Sequence, residues 1–354
     1  MRIASLFLSL VLTTTALAQQ SPAWHFAVSG DSRNCGDVVM PAIAGAVRSA
    51  NARFYWHLGD FRAIYDYDQD FLAAAGPERP RIIDYETQAW DDFIANQLDP
   101  FAATPVYLAI GNHETIPPKT RPDFVIQFAD WLDTPVVQAQ RLKDNPHDHR
   151  PKPYYHWLID SVDFITLDNA SPDQFNDDQI QWIEQLLQRD EADPSVRAIV
   201  VGMHASLPQN ISGNHSMGDW PQGDVSGRRA YADLLHARDT AGKQVYILSS
   251  HSHFFLDGAY NTQYWRDHGG VLPGWIIGTG GAIRYRLPDN VSDAKDARTG
   301  VYGFLLATVD PAAPPDHYIQ FQFQEVKEED VPAPVKEKYS PQLVHDCFTG
   351  NSAP

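Results

Sequence analysis

Cysteine, long apolar runs and positive charge are all scarce in this 354-residue sequence. Only Cys35 and Cys347 occur, so at most one internal disulfide is open. In an exported chain two cysteines invite that bridge; the alternative is two free thiols. After the first eighteen residues no stretch is long and apolar enough to span a bilayer. Lysine and arginine total 27 against 45 acidic residues, a net charge of −18. Such a chain repels DNA, RNA and anionic membranes at long range. No nucleic-acid or membrane partner is expected, and any phosphate compound has to be held by cations gathered at one place.

What is present reads first as a leader. "MRIASLFLSLVLTTTALAQQ" has a positive start at Arg2, an apolar run over 3–12 and a small-x-small site at Ala16-Leu17-Ala18. That pattern predicts a signal peptide over 1–18, cleaved after Ala18, and a protein exported to the periplasm or medium. The mature chain keeps 26 basic residues against 45 acidic ones, a net −19. With 43% hydrophobic and 20% charged residues the composition is that of a globular protein with ample core.

The order of elements is informative. "WHFAVSGD" (24–31), "RFYWHLGD" (53–60) and "TPVYLAIGNHE" (104–114) read as strands, with helices expected at 38–52 and 85–98 between them. This alternation argues for βαβ units and parallel strands. A helix at 125–132 and a hairpin over 154–169, turning near Asp160-Ser161, follow. Ile180, Ile183, Leu186 and Leu187 recur at helical spacing within 176–190. Strands "VRAIVVGMH" (196–204) and "QVYILSSHSH" (244–253) flank a helix at 228–239, and three more strands close the sheets. The polar segments 138–153 and 205–227 are long for connections inside a domain, which marks them as functional or disordered. The charged, proline-rich end, 327–354, is expected to be extended except where Cys347 pins it.

Five strand ends carry residues able to bind a metal: Asp31, Asp60, Asn112, His204, and His251 with His253. Ligands of open α/β sheets gather at the carboxyl ends of strands. Two histidines at spacing two lie on one face of a strand and can converge on one ion. Each motif is weak alone; five in order are not.

In that order, Gly30-Asp31-Ser32-Arg33, Gly59-Asp60, Gly111-Asn112-His113-Glu114, Val201-Gly202-Met203-His204 and Ser250-His251-Ser252-His253, the chain resembles the calcineurin-like metallophosphoesterases, a superfamily that includes purple acid phosphatases. The resemblance covers about residues 24–282. It implies an α/β fold, a four-layer αββα sandwich of two mixed β-sheets flanked by helices, with a dinuclear metal site at the C-terminal ends of the strands. The catalytic domain would then be 19–326. By the same resemblance Asp60 bridges two ions, Asp31 and His253 hold one, and Asn112, His204 and His251 hold the other. Asn112 also faces the substrate, His113 sits over the phosphate and Glu114 orients His113. Mixed His, Asp and Asn donors suit Fe, Mn or Zn rather than Mg or Ca. Paired ions about 3.5–4 Å apart can lower the pKa of a shared water and clamp phosphoryl oxygens.

The pattern departs at two points. The family's first-motif histidine is Arg33 here, and a guanidinium offers only donors. Arg33 is therefore expected to grip a substrate phosphate, for which its fork is well shaped. Purple acid phosphatases replace that histidine with a tyrosine three residues after the bridging Asp; here that position is Ala63, with Tyr65 two residues on as a candidate ligand. Ser250 stands where glycine is usual. His57 is expected to be structural; His147, His149 and His215 lie in the long loops, where they could reach the site but are expected to face solvent. The resemblance implies an exported hydrolase of phosphate monoesters or diesters acting on a small phosphorylated substrate. Its rivals are a weakened or inactive binding protein of the same fold, prompted by Arg33, and a metal-free structural domain.

Overall fold

The computed structural model describes residues 22–170, 172–212 and 214–353; the leader and its cleavage site lie outside the described residues. The chain runs β1 (Trp24–Ser29), α1 (Gly36–Ser49), β2 (Tyr55–His57), α2 (Gln69–Ala75), α3 (Ile82–Phe93), β3 (Val106–Leu108), α4 (Arg121–Gln127), α5 (Ala129–Leu132) and α6 (Pro135–Asp144). It continues through β4 (Tyr155–Ile159), β5 (Val162–Thr166), α7 (Asp177–Ala192), β6 (Ala198–Gly202), α8 (Pro221–Ala241), β7 (Gln244–Ser249), β8 (Phe255–Asp257), α9 (Gln263–Asp267) and β9 (Gly274–Ile277). It ends with β10 (Asp296–Arg298), β11 (Tyr302–Val309), β12 (Ile319–Val326), α10 (Ala333–Tyr339) and α11 (Pro341–Thr349).

Two mixed sheets form. The first has the order β12-β11-β1-β2-β3 and the second β10-β8-β9-β7-β6-β5-β4. β1, β2 and β3 are parallel, as are β5, β6, β7 and β9; the antiparallel strands lie at the margins. Consecutive β–α–β connections account for the parallel centre of each sheet.

The inner faces of the sheets meet through aromatic rings. Phe26 packs edge-on to Phe164 at 5.0 Å, and Phe54 and Trp56 meet Trp157 at 5.7 and 5.2 Å. Trp275 of the second sheet covers Phe321 of the first at 4.2 Å. On the far side of the second sheet, Ile180, Ile183, Leu186 and Leu187 of α7 pack with Ile199 and Val201 of β6 and with Leu234 of α8. Helix α1 covers the first sheet, with Val38, Val39 and Ile43 fully buried. The layers are thus helices, sheet, sheet, helices, as the resemblance implied. Both sheets send their parallel strands toward one edge, and the loops that follow them meet there.

The expected extended tail is not what forms. Residues 333–349 make two short helices, α10 and α11. Ser340 caps α11 by accepting from the Leu343 N–H, with Pro341 at its first turn. Charge and proline in the sequence disguised a helix pair whose apolar side, Val344 and Cys347, is buried. Cys35, just before α1, and Cys347 form the disulfide, with Cα atoms 5.9 Å apart. The two polar segments are also partly helical: 138–144 belongs to α6, and α8 begins at Pro221, seven residues earlier than its apolar spacing indicated.

Candidate metal centre

Each predicted ligand sits on a loop directly after a parallel strand: Asp31 after β1, Asp60 after β2, Asn112 after β3, His204 after β6, His251 and His253 after β7. The loops turn sharply. Asp31, Asp60 and His251 have left-handed φ of 59°, 61° and 67°, a conformation that costs a non-glycine residue about 1–2 kcal/mol. The glycines of the motifs have a packing reason. Gly59 has φ +90°, and a Cβ there would lie 2.4 Å from the Gly111 nitrogen. A Cβ on Gly111 would lie 2.3 Å from Asp60 Oδ1. The two loops are back to back, and only glycine allows the approach.

Glu114 fastens those loops together. Its carboxylate accepts from the backbone N–H groups of Asp60 (2.8 Å), Phe61 (2.9 Å) and Gly111 (2.8 Å). Burial and the Asp60 charge push it up to about 7 against these three donors. It does not orient the His113 imidazole, as had been expected; the Ala63 carbonyl does that, accepting from Nδ1 at 2.7 Å. His113 Nε2 then faces Asp60 Oδ2 at 3.6 Å. Burial, with Arg33 nearby, lowers His113 to about 4.

Two donor clusters share Asp60. Asp60, His204 and His251 form one, and Asp31, Asp60 and His253 the other, each with its ligand atoms within 4.8 Å of one another. The histidines are aimed by their second nitrogens. His204 Nδ1 donates to the Leu58 carbonyl at 2.9 Å and His253 Nδ1 to the Ile283 carbonyl at 2.6 Å. A carbonyl only accepts, so each Nδ1 carries the proton and Nε2 turns inward. His204 Nε2 meets His251 Nδ1 at 2.9 Å, Asn112 Oδ1 at 3.0 Å and Asp60 Oδ1 at 3.3 Å. His253 Nε2 faces Asp31 Oδ1 at 3.3 Å. Asp31 Oδ1 and Asp60 Oδ2 are buried with no hydrogen bond.

Convergent acceptors and orphaned carboxylate oxygens repel one another unless something positive lies between them. The field there is strong. Burial pushes His204 down, yet Asp60 and Asp31 lift it to about 10. This donor set fits metal ions, two of them around Asp60, with imidazole nitrogens favouring transition metals.

Arg33 lies against the second cluster. Its Nη2 is 3.2 Å from His253 Nε2 and donates to Tyr285 Oη at 3.4 Å; its Nη1 donates to Tyr65 Oη at 3.2 Å. Its Nε, 4.0 Å from Asp60 Oδ2, is buried and makes no hydrogen bond. Tyr65 is 63% exposed, and its phenol accepts a hydrogen bond from Arg33. His57 is buried in β2, 2.9 Å from Ser32 Oγ, in keeping with a structural role. His147 and His149 are exposed.

Three further side chains adjoin the clusters, of which the sequence reading singles out His215 alone. Tyr285 stacks on His253 with ring centroids 4.0 Å apart. His215 is exposed, as expected, yet its ring lies 5.2 Å from His251 and 5.1 Å from Tyr285. Asp173 Oδ2 is 3.9 Å from His251 Nε2. Only His215 left a signal: Gly-Asn-His occurs at 111–113 and again at 213–215.

The chain matches the calcineurin-like phosphoesterase family over residues 26–255. The chain belongs to that family. No curated protein matches the phosphoesterase by sequence. Among solved structures it is similar to the purple acid phosphatase PPD1 of yellow lupin (Lupinus luteus) seeds, at 18% identity and a TM-score of 0.53, over 86% of this chain and 52% of that one. It is also similar to PhoD, at 14% identity and 0.50, over 94% and 78%, and to a dimetal phosphatase of Danio rerio, at 10% and 0.50, over 86% and 97%. The phosphoesterase spans about half the length of the lupin enzyme. At these identities the likeness is one of fold.

A third cluster lies behind the site. Arg62 is fully buried and pairs with Asp37 (2.5 Å), Asp70 (3.0 Å), Asp68 (3.7 Å) and Asp92. Asp68 also accepts from the backbone N–H groups of Asn34 (2.5 Å) and Ala63 (3.3 Å). Those residues adjoin Arg33 and carry the carbonyl that holds His113. Tyr339 of α10 donates to Asp37 at 2.6 Å.

Proposed function

We propose that this is an exported hydrolase of phosphate monoesters or diesters that positions two transition-metal ions, Fe, Mn or Zn, and a small phosphorylated substrate around Asp60. The single observation that carries the reading is the pair of donor clusters joined at that carboxylate. Asp31 and His253 would hold one ion with Asp60; Asn112, His204 and His251 would hold the other. When bound, such ions activate a water and neutralise charge on the phosphoryl oxygens.

The rest falls to the chain. Arg33 stays charged and has an unengaged Nε–H, so it can grip a phosphoryl oxygen and set the phosphorus in line. Tyr65 and Tyr285 hold its fork in place. His113 has its Nδ1–H committed to Ala63, so only Nε2 can exchange a proton at the site. An arriving phosphate anion favours the protonated imidazole, which then gives that proton to the leaving oxygen. Asn112 can hydrogen-bond a phosphoryl oxygen through its amide. Export is supported by the leader alone.

A second reading rests on Arg33. A fixed cation 3.2 Å from His253 Nε2 competes for the lone pair an ion needs there, giving a weakened enzyme that holds a single ion. Elemental analysis after loading with Mn, Zn or Fe, paired with assays on an aryl phosphate and an aryl phosphodiester, separates the readings. Two ions per chain and turnover of either ester are expected. A chain that takes up no ion would end the first reading, and one ion with residual turnover would favour the second.

A further inference from the structure

A cleft of about 420 Å³ opens beside the metal centre. Its wall toward the centre is made by His215 and Tyr285, the rings that pack on His251 and His253. The cleft is therefore one side chain away from both donor clusters. Tyr285 also accepts a hydrogen bond from Arg33, so it joins the proposed phosphate-gripping residue to the cleft. The remaining lining is mixed: Phe254, Leu287 and Pro288 are apolar, whereas Asn214 and Asn290 offer amides and Arg286 a guanidinium.

Arg286 is exposed and forms no ion pair among the described residues, although the cleft also contains Asp289. In a chain with a net charge of −18 the long-range field repels anions. Two arginines flanking Tyr285 are a local exception. Arg33 lies at the metal side, and Arg286 on the cleft side. A molecule with its phosphoryl group at the donor clusters has room for its other half in this cleft.

We propose that this cleft binds the non-reacting part of the substrate and selects phosphate esters whose alcohol carries a second anionic group. The proposal rests on the phosphoesterase reading of the neighbouring site and adds a substrate class to it. Arg matches carboxylate or phosphate through paired N–H donors.

The test is a matched pair of esters, 6-phosphogluconate and glucitol 6-phosphate, assayed with the Mn-loaded full chain at low salt. They share a six-carbon hydroxylated chain and one phosphate, and differ at the far end by carboxylate against alcohol. The expected kcat/KM ratio favours the carboxylate about tenfold or more. Arg286→Glu brings that ratio to about one or below, and Arg286→Lys keeps most of it. A ratio near one in the parent chain, or one that Arg286→Glu leaves in place, overturns the proposal. Should neither ester be hydrolysed, calorimetric binding of the same pair to the Mn-loaded parent and Arg286→Glu proteins decides the cleft by the same ratio, while the aryl-ester assays decide the hydrolytic reading separately. Because Arg286 is exposed, both variants are expected to melt with the parent.

Discussion

Replacing Arg62 by methionine removes a cation that four aspartates share. The change keeps the stem's bulk but leaves Asp37, Asp68 and Asp70, all fully buried, without a counter-charge. Breaking a buried pair by deleting one partner costs about 3–5 kcal/mol. With an unfolding entropy of ~2.1 cal/mol/K per residue over the described chain, that corresponds to a fall in Tm of about 4–7 °C. The loss is expected to depend on pH in a definite direction. Burial already holds Asp68, Asp70 and Asp92 above the ordinary carboxyl value, even with Arg62 working against it. Without Arg62 they rise further. A carboxyl group with a raised folded-state pKa binds more protons folded than unfolded, so its contribution is full below about pH 4 and is lost as pH climbs through the folded value. The variant should therefore fall furthest behind the parent near pH 8 and recover part of the deficit near pH 5. Thermal melts of both proteins across that range measure it, and Asp70→Asn in the Arg62→Met background should restore part of the Tm at pH 8. A deficit below about 1 kcal/mol at pH 8, or one that does not change with pH, would refute the argument that a single guanidinium neutralises this cluster.

Arg33→Ala is expected to raise KM by about ten- to a hundredfold, the worth of a charge-assisted pair with phosphate, and to lower metal content much less; equal loss of metal at unchanged KM would make Arg33 part of the ion site instead. His113→Ala should cut kcat by about 10²–10⁴ with both ions retained, as read by steady-state kinetics and elemental analysis on the same sample. Cys347→Ser opens a loop with a sequence separation of 312. The chain-entropy relation gives about 5–6 kcal/mol for a loop of that size and measured bridges typically give ~2–4, so a variant that melts with the parent under oxidising conditions would mean the α10–α11 contacts fix the tail alone.

What the sequence made legible follows from how each feature is encoded. Strand C-termini with Asp, Asn or His are local signals, and parallel sheets carry such loops to one edge, so the donor set could be assembled before any coordinates. The parallel run of the central strands followed from β–α alternation for the same reason. Tyr285, Asp173 and Ile283 could not be found that way. Ile283 contributes a backbone carbonyl to His253, and carbonyls have no sequence signature. Tyr285 reaches His253 across 32 residues of chain through packing alone. Glu114 was placed correctly but given the wrong partner, because adjacency in sequence suggested His113 whereas the tight turn of Asn112–Thr115 points the carboxylate back at three amides.

The tail is the case where composition misled, and its contacts indicate what it does for the site. Asn351 Nδ2 donates to the carbonyl of Gly281, and Arg284 donates to the carbonyls of Asn351 and Phe348. The segment between, 281–285, supplies the Ile283 carbonyl that turns His253 and the Tyr285 ring that covers it. On its other side the tail holds Asp37 of the Arg62 cluster through Tyr339, and that cluster grips Asn34 and Ala63 behind Arg33 and His113. Ligand histidines keep their affinity only while the groups hydrogen-bonded to them stay in place. The C-terminal helices thus buttress one donor cluster directly, and Arg33 and His113 through buried charge. Truncation after Val326 should therefore lower ion uptake at the Asp31–His253 cluster before it lowers uptake at the His204–His251 cluster, as read by elemental analysis.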